Sequence, residues 1–226
     1  MEGGADVLVR LVRTAERHPA GAPLLRAAAA VLLGLDAAEI VVGREPSGRP
    51  KLGGAARGLH GSVSHVQGLS AVAVSRVCAV GVDVERLRAV PAVALARRWF
   101  AASEADWLAG RPESERPAEF LRMWTQKEAV GKALATGLSG GGMIRPVRLG
   151  GAPGTELLPV PGKRFYTALP DAPEGFVLAV AAGPQAAGGR VDVLMPPPLA
   201  GLPDRAGVCP SPSGGSRATH TSGGGV

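Results

Sequence analysis

Gly81-Val82-Asp83-Val84-Glu85 sets two carboxylates two residues apart. In a strand, successive side chains point to opposite faces, so Asp83 and Glu85 share one face and Val82 and Val84 the other. Side by side, two carboxylates repel unless a cation lies between them. The pair therefore reads as half of a divalent-metal site or as the solvated face of an edge strand, and a lone motif of this kind is more often the second. A second cluster is Trp124-Thr125-Gln126-Lys127-Glu128-Ala129-Val130-Gly131-Lys132, in which Glu128 and Lys132 are four residues apart and stack on one helix face. An ordinary surface ion pair would give the same spacing. Gly131, however, costs a helix interior about 1 kcal/mol relative to Ala, which suggests a close approach to that backbone. Ser62-Val63-Ser64-His65 lacks the Gly-x-Ser-x-Gly elbow of a hydrolase. Gly48-Arg49-Pro50 puts a guanidinium on a tight turn, where it can meet phosphate bidentately. Gly137-Leu138-Ser139-Gly140-Gly141-Gly142 lacks the Gly-Lys-Ser/Thr ending of a phosphate loop and reads as a flexible loop.

Taken together, two acids on a strand and one on a helix make the hard oxygen site that Mg²⁺ prefers when it also binds a diphosphate. A neighbouring Lys and Arg would neutralise the remaining phosphate charge, as a phosphoryl-type transfer requires.

The elements that must position these groups are partly legible. Leu24, Ala28, Val31 and Leu35 recur at helical spacing with Gly34 near the end. Residues 40–42, 71–75, 80–85, 164–169 and 176–182 are strand-like, and residues 44–50 carry turn chemistry. Ser103-Glu104-Ala105-Asp106 resembles a capping box that opens a helix. Residues 119–135 form the strongest helical pattern, with Phe120, Met123, Trp124, Val130 and Leu134 near one face. This order predicts an α+β fold of two halves, residues 1–80 and 81–183, the second carrying the acids. Residues 184–226 are rich in Gly, Pro and Ser without apolar periodicity, which predicts a disordered tail.

Composition limits the function. The chain has 226 residues, 46% of them hydrophobic, enough for a sizeable core. Mean hydropathy is +0.15, yet no apolar run approaches the roughly 20 residues of a membrane-spanning helix. The first residues lack the basic start of a secretory signal. Cys78 and Cys209 are too few for a disulfide scaffold or a four-cysteine zinc site, so a reduced, cytoplasmic protein is expected. The net charge is +6, but the basic residues are scattered and aromatics make up 4%, which argues against a nucleic-acid platform and suits an anionic ligand or an acidic protein partner. Of 25 basic residues only Lys51, Lys127, Lys132 and Lys163 are lysine, and two of them fall in the 124–132 segment.

The ordered set G-R-P, S-V-S-H, G-V-D-V-E and W-T-Q-K-E-A-V-G-K resembles the 4′-phosphopantetheinyl transferase superfamily, in the full-length two-half form known as Sfp-type. The likeness runs from about residue 24 to 182 and is strongest over 81–132. It implies a pseudo-twofold α+β fold with coenzyme A between the halves. Asp83, Glu85 and Glu128 would then hold Mg²⁺ against the diphosphate. Lys132 and Lys127 would contact phosphate or pantetheine oxygens, and Arg49, Ser64 and His65 would bind coenzyme A on the N-terminal side. Glu104 falls where relatives often carry an acid, and residues 100–107 would face the carrier protein. Relatives hold the 3′-phosphate of coenzyme A with a basic cluster nearer the N-terminus, for which Arg10, Arg13, Arg17 and Arg26 are the local candidates. The implied enzyme, of the holo-acyl-carrier-protein synthase kind, moves phosphopantetheine to a serine of an apo acyl or peptidyl carrier protein of fatty acid, polyketide or nonribosomal peptide synthesis. Adenosine 3′,5′-bisphosphate would be released, with Lys132 and Asp83 in the catalytic centre and Glu128 the candidate base. A monomer without nucleic-acid or membrane partners is expected. The competing readings are a non-catalytic protein that binds coenzyme A or a carrier, and a metal-dependent nucleotide phosphodiesterase.

Overall fold

The computed structural model describes residues 7–14, 21–139, 141–162 and 165–196. Arg17, Gly140, Lys163, Arg164, Cys209 and residues 197–226 of the expected tail lie outside the described residues. In chain order the elements are β1 (Val7–Thr14), α1 (Gly21–Leu33), β2 (Ile40–Arg44), β3 (Pro50–Gly54), β4 (His60–Val66), β5 (Gly68–Ser75), β6 (Val80–Arg86), α2 (Ala92–Trp99), α3 (Ala102–Ala109), α4 (Arg116–Ala133), β7 (Gly154–Pro159), β8 (Tyr166–Leu169), β9 (Phe176–Ala182) and β10 (Val191–Leu194). The fold is α+β, as expected.

Two four-stranded sheets organise it. One runs β10-β1-β5-β4 and the other β6-β9-β8-β7, while β2 and β3 form a separate hairpin. Strand periodicity distributes the core between the two faces of each sheet. Val7, Val9 and Leu11 of β1 and Leu69, Ala71 and Ala73 of β5 share one cluster with Val80, Val82 and Val84 of β6 and Leu178, Val180 and Ala182 of β9. The intervening residues turn outward onto helices. Leu8, Val72 and Val74 pack under Leu25, Ala28 and Ala29 of α1, and Ala179 and Ala181 pack under Ala129, Val130 and Ala133 of α4. Each buried Val or Leu contributes about 1.5–3 kcal/mol, so this alternation ties the register of every strand to the core.

Asp83 stands opposite Ala179 and Glu85 opposite Val177 in the β6–β9 ladder. The expected alternation holds, with the valines in the shared core, but the acid face is not a solvated outer face, because α4 crosses it. The crossing occurs at Gly81, where a Cβ would sit 1.9 Å from the Ala129 carbonyl oxygen and 2.7 Å from the Ala133 nitrogen. Only glycine lets the helix backbone lie this close to the strand.

Three expectations are revised. Residues 184–196 are not without structure: a 3-10 turn spans Pro184–Ala186, and β10 pairs in parallel with β1, Val191 opposite Val7. Val191 is 1% exposed, which supplies the burial that composition does not reveal. The last described strand therefore returns to the N-terminal sheet instead of closing the C-terminal half. The helix expected to open at Ser103 is capped two residues earlier, at Ala101, whose N–H donates to Glu104 Oε2 over 3.2 Å. No helix among the described residues is long and apolar enough to cross a membrane.

Candidate active site

Strand β6 is an edge in its own ladder, and side chains complete its free side. Ser62 and Ser64 alternate along β4, so both hydroxyls point the same way. Ser62 Oγ accepts from the Val82 N–H over 3.1 Å, and Ser64 Oγ from the Val84 N–H over 3.4 Å. Lys132, one turn beyond Glu128 on α4, donates to the Val82 carbonyl over 3.1 Å and to Asp83 Oδ1 over 2.8 Å. The Ser64 hydroxyl donates to the same Oδ1 over 2.8 Å. Asp83 is only 6% exposed. Its other oxygen, Oδ2, is buried and accepts no hydrogen bond among the described residues.

The three predicted acids are near enough to influence one another electrostatically. Burial pushes the Asp83 carboxyl above the usual range, and negative Glu85 adds to that, while Lys132 and the Ser64 hydrogen bond pull it down. Burial also raises Glu128, followed by the nearby charges of Asp83 and, more weakly, Glu85, with Lys132 again opposing. Glu85 pairs with Arg88 at 2.8 Å. The acids repel one another through space without forming a tight cluster: no three His, Cys, Asp or Glu groups among the described residues are gathered closely enough to hold a metal by themselves. The donor chemistry, carboxylate oxygen with Asp83 Oδ2 unpartnered among the described residues, is nonetheless of the kind a hard divalent cation takes. An Asp oxygen without a proton donor, beside two further carboxylates, is a site short of positive charge, and Mg²⁺ commonly takes one or two carboxylates and fills its shell with water and phosphate oxygens.

A cavity of about 480 Å³ extends from Lys132 to the β2–β3 turn. Gly21 and Leu25 of α1, Arg44, Arg49 and His65 line it, and Ala135 and Gly137 close it beyond the end of α4. Arg49 has a buried nitrogen, Nη2, without a hydrogen-bond partner among the described residues. Arg44 Nη1 donates to the Gly48 carbonyl over 3.1 Å, which braces the turn. In residues 44–50 the sequence singled out Arg49 but not Arg44, whose place at the strand–turn junction was the available signal. Arg10, Arg13 and Arg26 do not line the cavity.

Two residues expected to contact coenzyme A, Lys127 and Ser64, are not among those lining this cavity. Lys127 is fully buried. Its ammonium donates to Glu104 Oε2 and to the Arg145 carbonyl, each over 2.6 Å, and lies 4.6 Å from the Phe100 ring centre. Burial lowers its pKa, and the Glu104 hydrogen bond and charge oppose that shift. Glu104 also accepts from the Val147 N–H over 3.0 Å, so the pair ties α3, α4 and the 145–147 segment together. Ser64 is the second: it is 6% exposed and bonded to Asp83, outside the cavity wall that His65 joins. Gly131 does meet a close neighbour, since a Cβ there would lie 2.3 Å from the Gly137 carbonyl oxygen. The neighbour is the chain's own turn, whose Thr136 and Gly137 N–H groups donate to the Gly131 carbonyl.

A sheet-edge carboxylate held by a helix lysine thus lies beside a cavity lined by Arg44 and Arg49. Comparison with known proteins adds to this geometry. Residues 79–173 match the model of the 4′-phosphopantetheinyl transferase superfamily. The chain is 34% identical over 126 residues to the 4′-phosphopantetheinyl transferase HetI of Nostoc sp., covering 54% of this chain and 53% of that protein. It is 30% identical over 125 residues to a 4′-phosphopantetheinyl transferase of Bacillus subtilis, covering 55% and 54% respectively. A shorter match, 36% over 64 residues, is to the 4′-phosphopantetheinyl transferase psf-1 of Bacillus pumilus, with 26% and 27% covered. The matched part spans about half the length of the first two relatives. Asp83, Glu85, Glu104, Lys127, Glu128 and Lys132 all lie within the segment that matches this superfamily model.

Proposed function

We propose that this protein is an Sfp-type transferase that moves the 4′-phosphopantetheine arm of coenzyme A to a serine of an apo acyl or peptidyl carrier protein. The observation that carries the reading is the junction at Lys132, which both lines the cavity and holds Asp83. A diphosphate lying across that junction would meet cations on one side and carboxylates on the other. Arg49, with its unpartnered nitrogen, together with Arg44 and His65 would receive the nucleotide end of coenzyme A. Asp83, Glu85 and Glu128 would hold Mg²⁺, which when bound neutralises charge on the diphosphate oxygens.

The chain's own groups supply the rest. The carrier serine oxygen forms a bond to the pantetheine-side phosphorus, and the bond from that phosphorus to the bridging oxygen breaks, releasing adenosine 3′,5′-bisphosphate. The serine proton passes to Glu128 through a water molecule. Burial, with the charges of Asp83 and Glu85, raises the Glu128 pKa, which favours uptake of a proton. Lys132 stabilises the charge that develops on the leaving phosphate, as a preorganised ammonium already fixed by the Val82 carbonyl. The test is to incubate the full chain with coenzyme A and Mg²⁺, with and without an apo carrier, and to follow adenosine 3′,5′-bisphosphate by chromatography. Release that depends on the carrier is expected. Release without any carrier would mark a phosphodiesterase instead, and no release with a panel of carriers would overturn the reading.

A further inference from the structure

Ser64, buried on β4, makes two hydrogen bonds to β6. Its hydroxyl hydrogen is committed to Asp83 Oδ1 at 2.8 Å, and its oxygen accepts from the Val84 N–H. The first bond restrains the carboxylate and the second restrains the hydroxyl, which commits the serine's one proton to Asp83. Lys132 comes to the same Oδ1 from the opposite element, α4. A carboxylate clamped twice through one oxygen cannot rotate, and its second oxygen, Oδ2, is left buried and without a donor. Two donors placed on one oxygen and none on the other is an asymmetric arrangement; a carboxylate serving only to join β4 to α4 would be better satisfied by sharing its donors.

We infer that Ser64 is a positioning residue for Asp83: from β4 it fixes the carboxylate through Oδ1 so that Oδ2 stays available to a divalent cation. The inference rests on the reading of the acids as a metal site given above, and it gives the Ser-Val-Ser repeat a division of labour. Ser62 satisfies only the β6 backbone through Val82, while Ser64 satisfies the backbone and orients the acid. Partners that orient a metal-binding carboxylate typically change metal affinity about 10–100-fold when removed. Lys132 still restrains Oδ1 in a Ser64 variant, so the low end of that range is expected.

The experiment titrates the full chain with Mn²⁺ alone and reads the free ion by electron paramagnetic resonance. Wild type is expected to bind one Mn²⁺, Ser64→Ala about tenfold more weakly, and Ser64→Thr, which keeps the hydroxyl, within about threefold of wild type. Ser62→Ala is the matched control for losing a hydroxyl bond to the β6 backbone, and its Mn²⁺ affinity is expected to remain within about twofold. In the transfer assay, Ser64→Ala should raise the Mg²⁺ concentration for half-maximal rate by the same factor and leave KM for coenzyme A unchanged. Equal Mn²⁺ affinity in wild type and Ser64→Ala, or a rise in KM for coenzyme A with Mg²⁺ dependence intact, overturns the positioning role and leaves the metal site standing. A wild-type chain that binds no Mn²⁺ overturns both. If Ser64→Ala does not fold, Ser64→Cys, a side chain of similar size and a weaker donor, takes its place: Mn²⁺ binding weaker than in Ser64→Thr is expected, and binding equal to wild type overturns the positioning role.

Discussion

Replacing Gly81 with Ala tests the contact on which the candidate site is built. The added methyl would lie 1.9 Å from the Ala129 carbonyl oxygen, where real Cβ atoms essentially never come closer than 3.0 Å, so α4 must withdraw by about 1 Å or β6 must bend by as much. Neither partner is a flexible side-chain end; both are backbone, held by a helix and a ladder. The strain spreads to the packing of Ala129, Ala133, Ala179 and Ala181, and a cost of about 3 kcal/mol, near the upper end for overpacked cores, follows. For a protein of this size that corresponds to a fall of about 6–12 °C in melting temperature. The same displacement stretches the Lys132–Asp83 bond, now 2.8 Å. Activity measured well below the melting point should therefore drop further than stability explains. Circular dichroism melts and the carrier-dependent assay at low temperature provide the two readings. A variant that melts within about 2 °C of wild type and transfers at the wild-type rate would refute the claim that α4 and β6 touch through this glycine.

Three other outcomes follow from the geometry. Glu104→Ala strands a buried ammonium and is expected to cost about 3–5 kcal/mol in urea unfolding, while the double change Glu104→Leu with Lys127→Met should recover much of that loss. Ala135 adopts a left-handed backbone at φ 58° just beyond α4, so Ala135→Gly should stabilise the protein by about 1 kcal/mol in the same experiment. His60, whose pKa burial and then the Arg49 charge hold below 6.5 against the weaker pull of Glu45, resists protonation in the folded state. Its contribution is full above pH 6.5 and is lost as pH falls toward the lowered value, because the unfolded chain takes up the proton first. Melting temperature should therefore decline less steeply on acidification below pH 6.5 in His60→Gln than in wild type.

How much of this was legible in the sequence depends on the range of the physics involved. The alternation of Gly81 to Glu85 and the one-turn spacing of Glu128 and Lys132 are local, and both survive in the structure because strand and helix periods dictate which side chains share a face. The approach signalled by Gly131 was real, although the neighbour is the turn at Gly137 and not a ligand. Contacts between distant segments were not legible. Val7–Thr14 interleaves arginines with valines and leucines and was not marked as a strand, and β10 becomes ordered only through pairing with it, from a segment whose prolines and glycines suggest a tail. Lys127 looked like a phosphate ligand because its partner Glu104 is 23 residues away, and one-dimensional spacing cannot show that the two are buried together. The bond from Ser64 to Asp83 was hidden for the same reason, since the acid lies on another strand.

The central claim is that the carboxylates converging on Lys132 serve transfer to a carrier, and weighing the carrier tests it most directly. An apo carrier protein is incubated with coenzyme A, Mg²⁺ and either the wild-type chain or Asp83→Ala, and its intact mass is recorded. The account predicts that the carrier gains one phosphopantetheine arm with wild type and stays apo with Asp83→Ala. A carrier left apo by wild type, or converted equally well by Asp83→Ala, would contradict it.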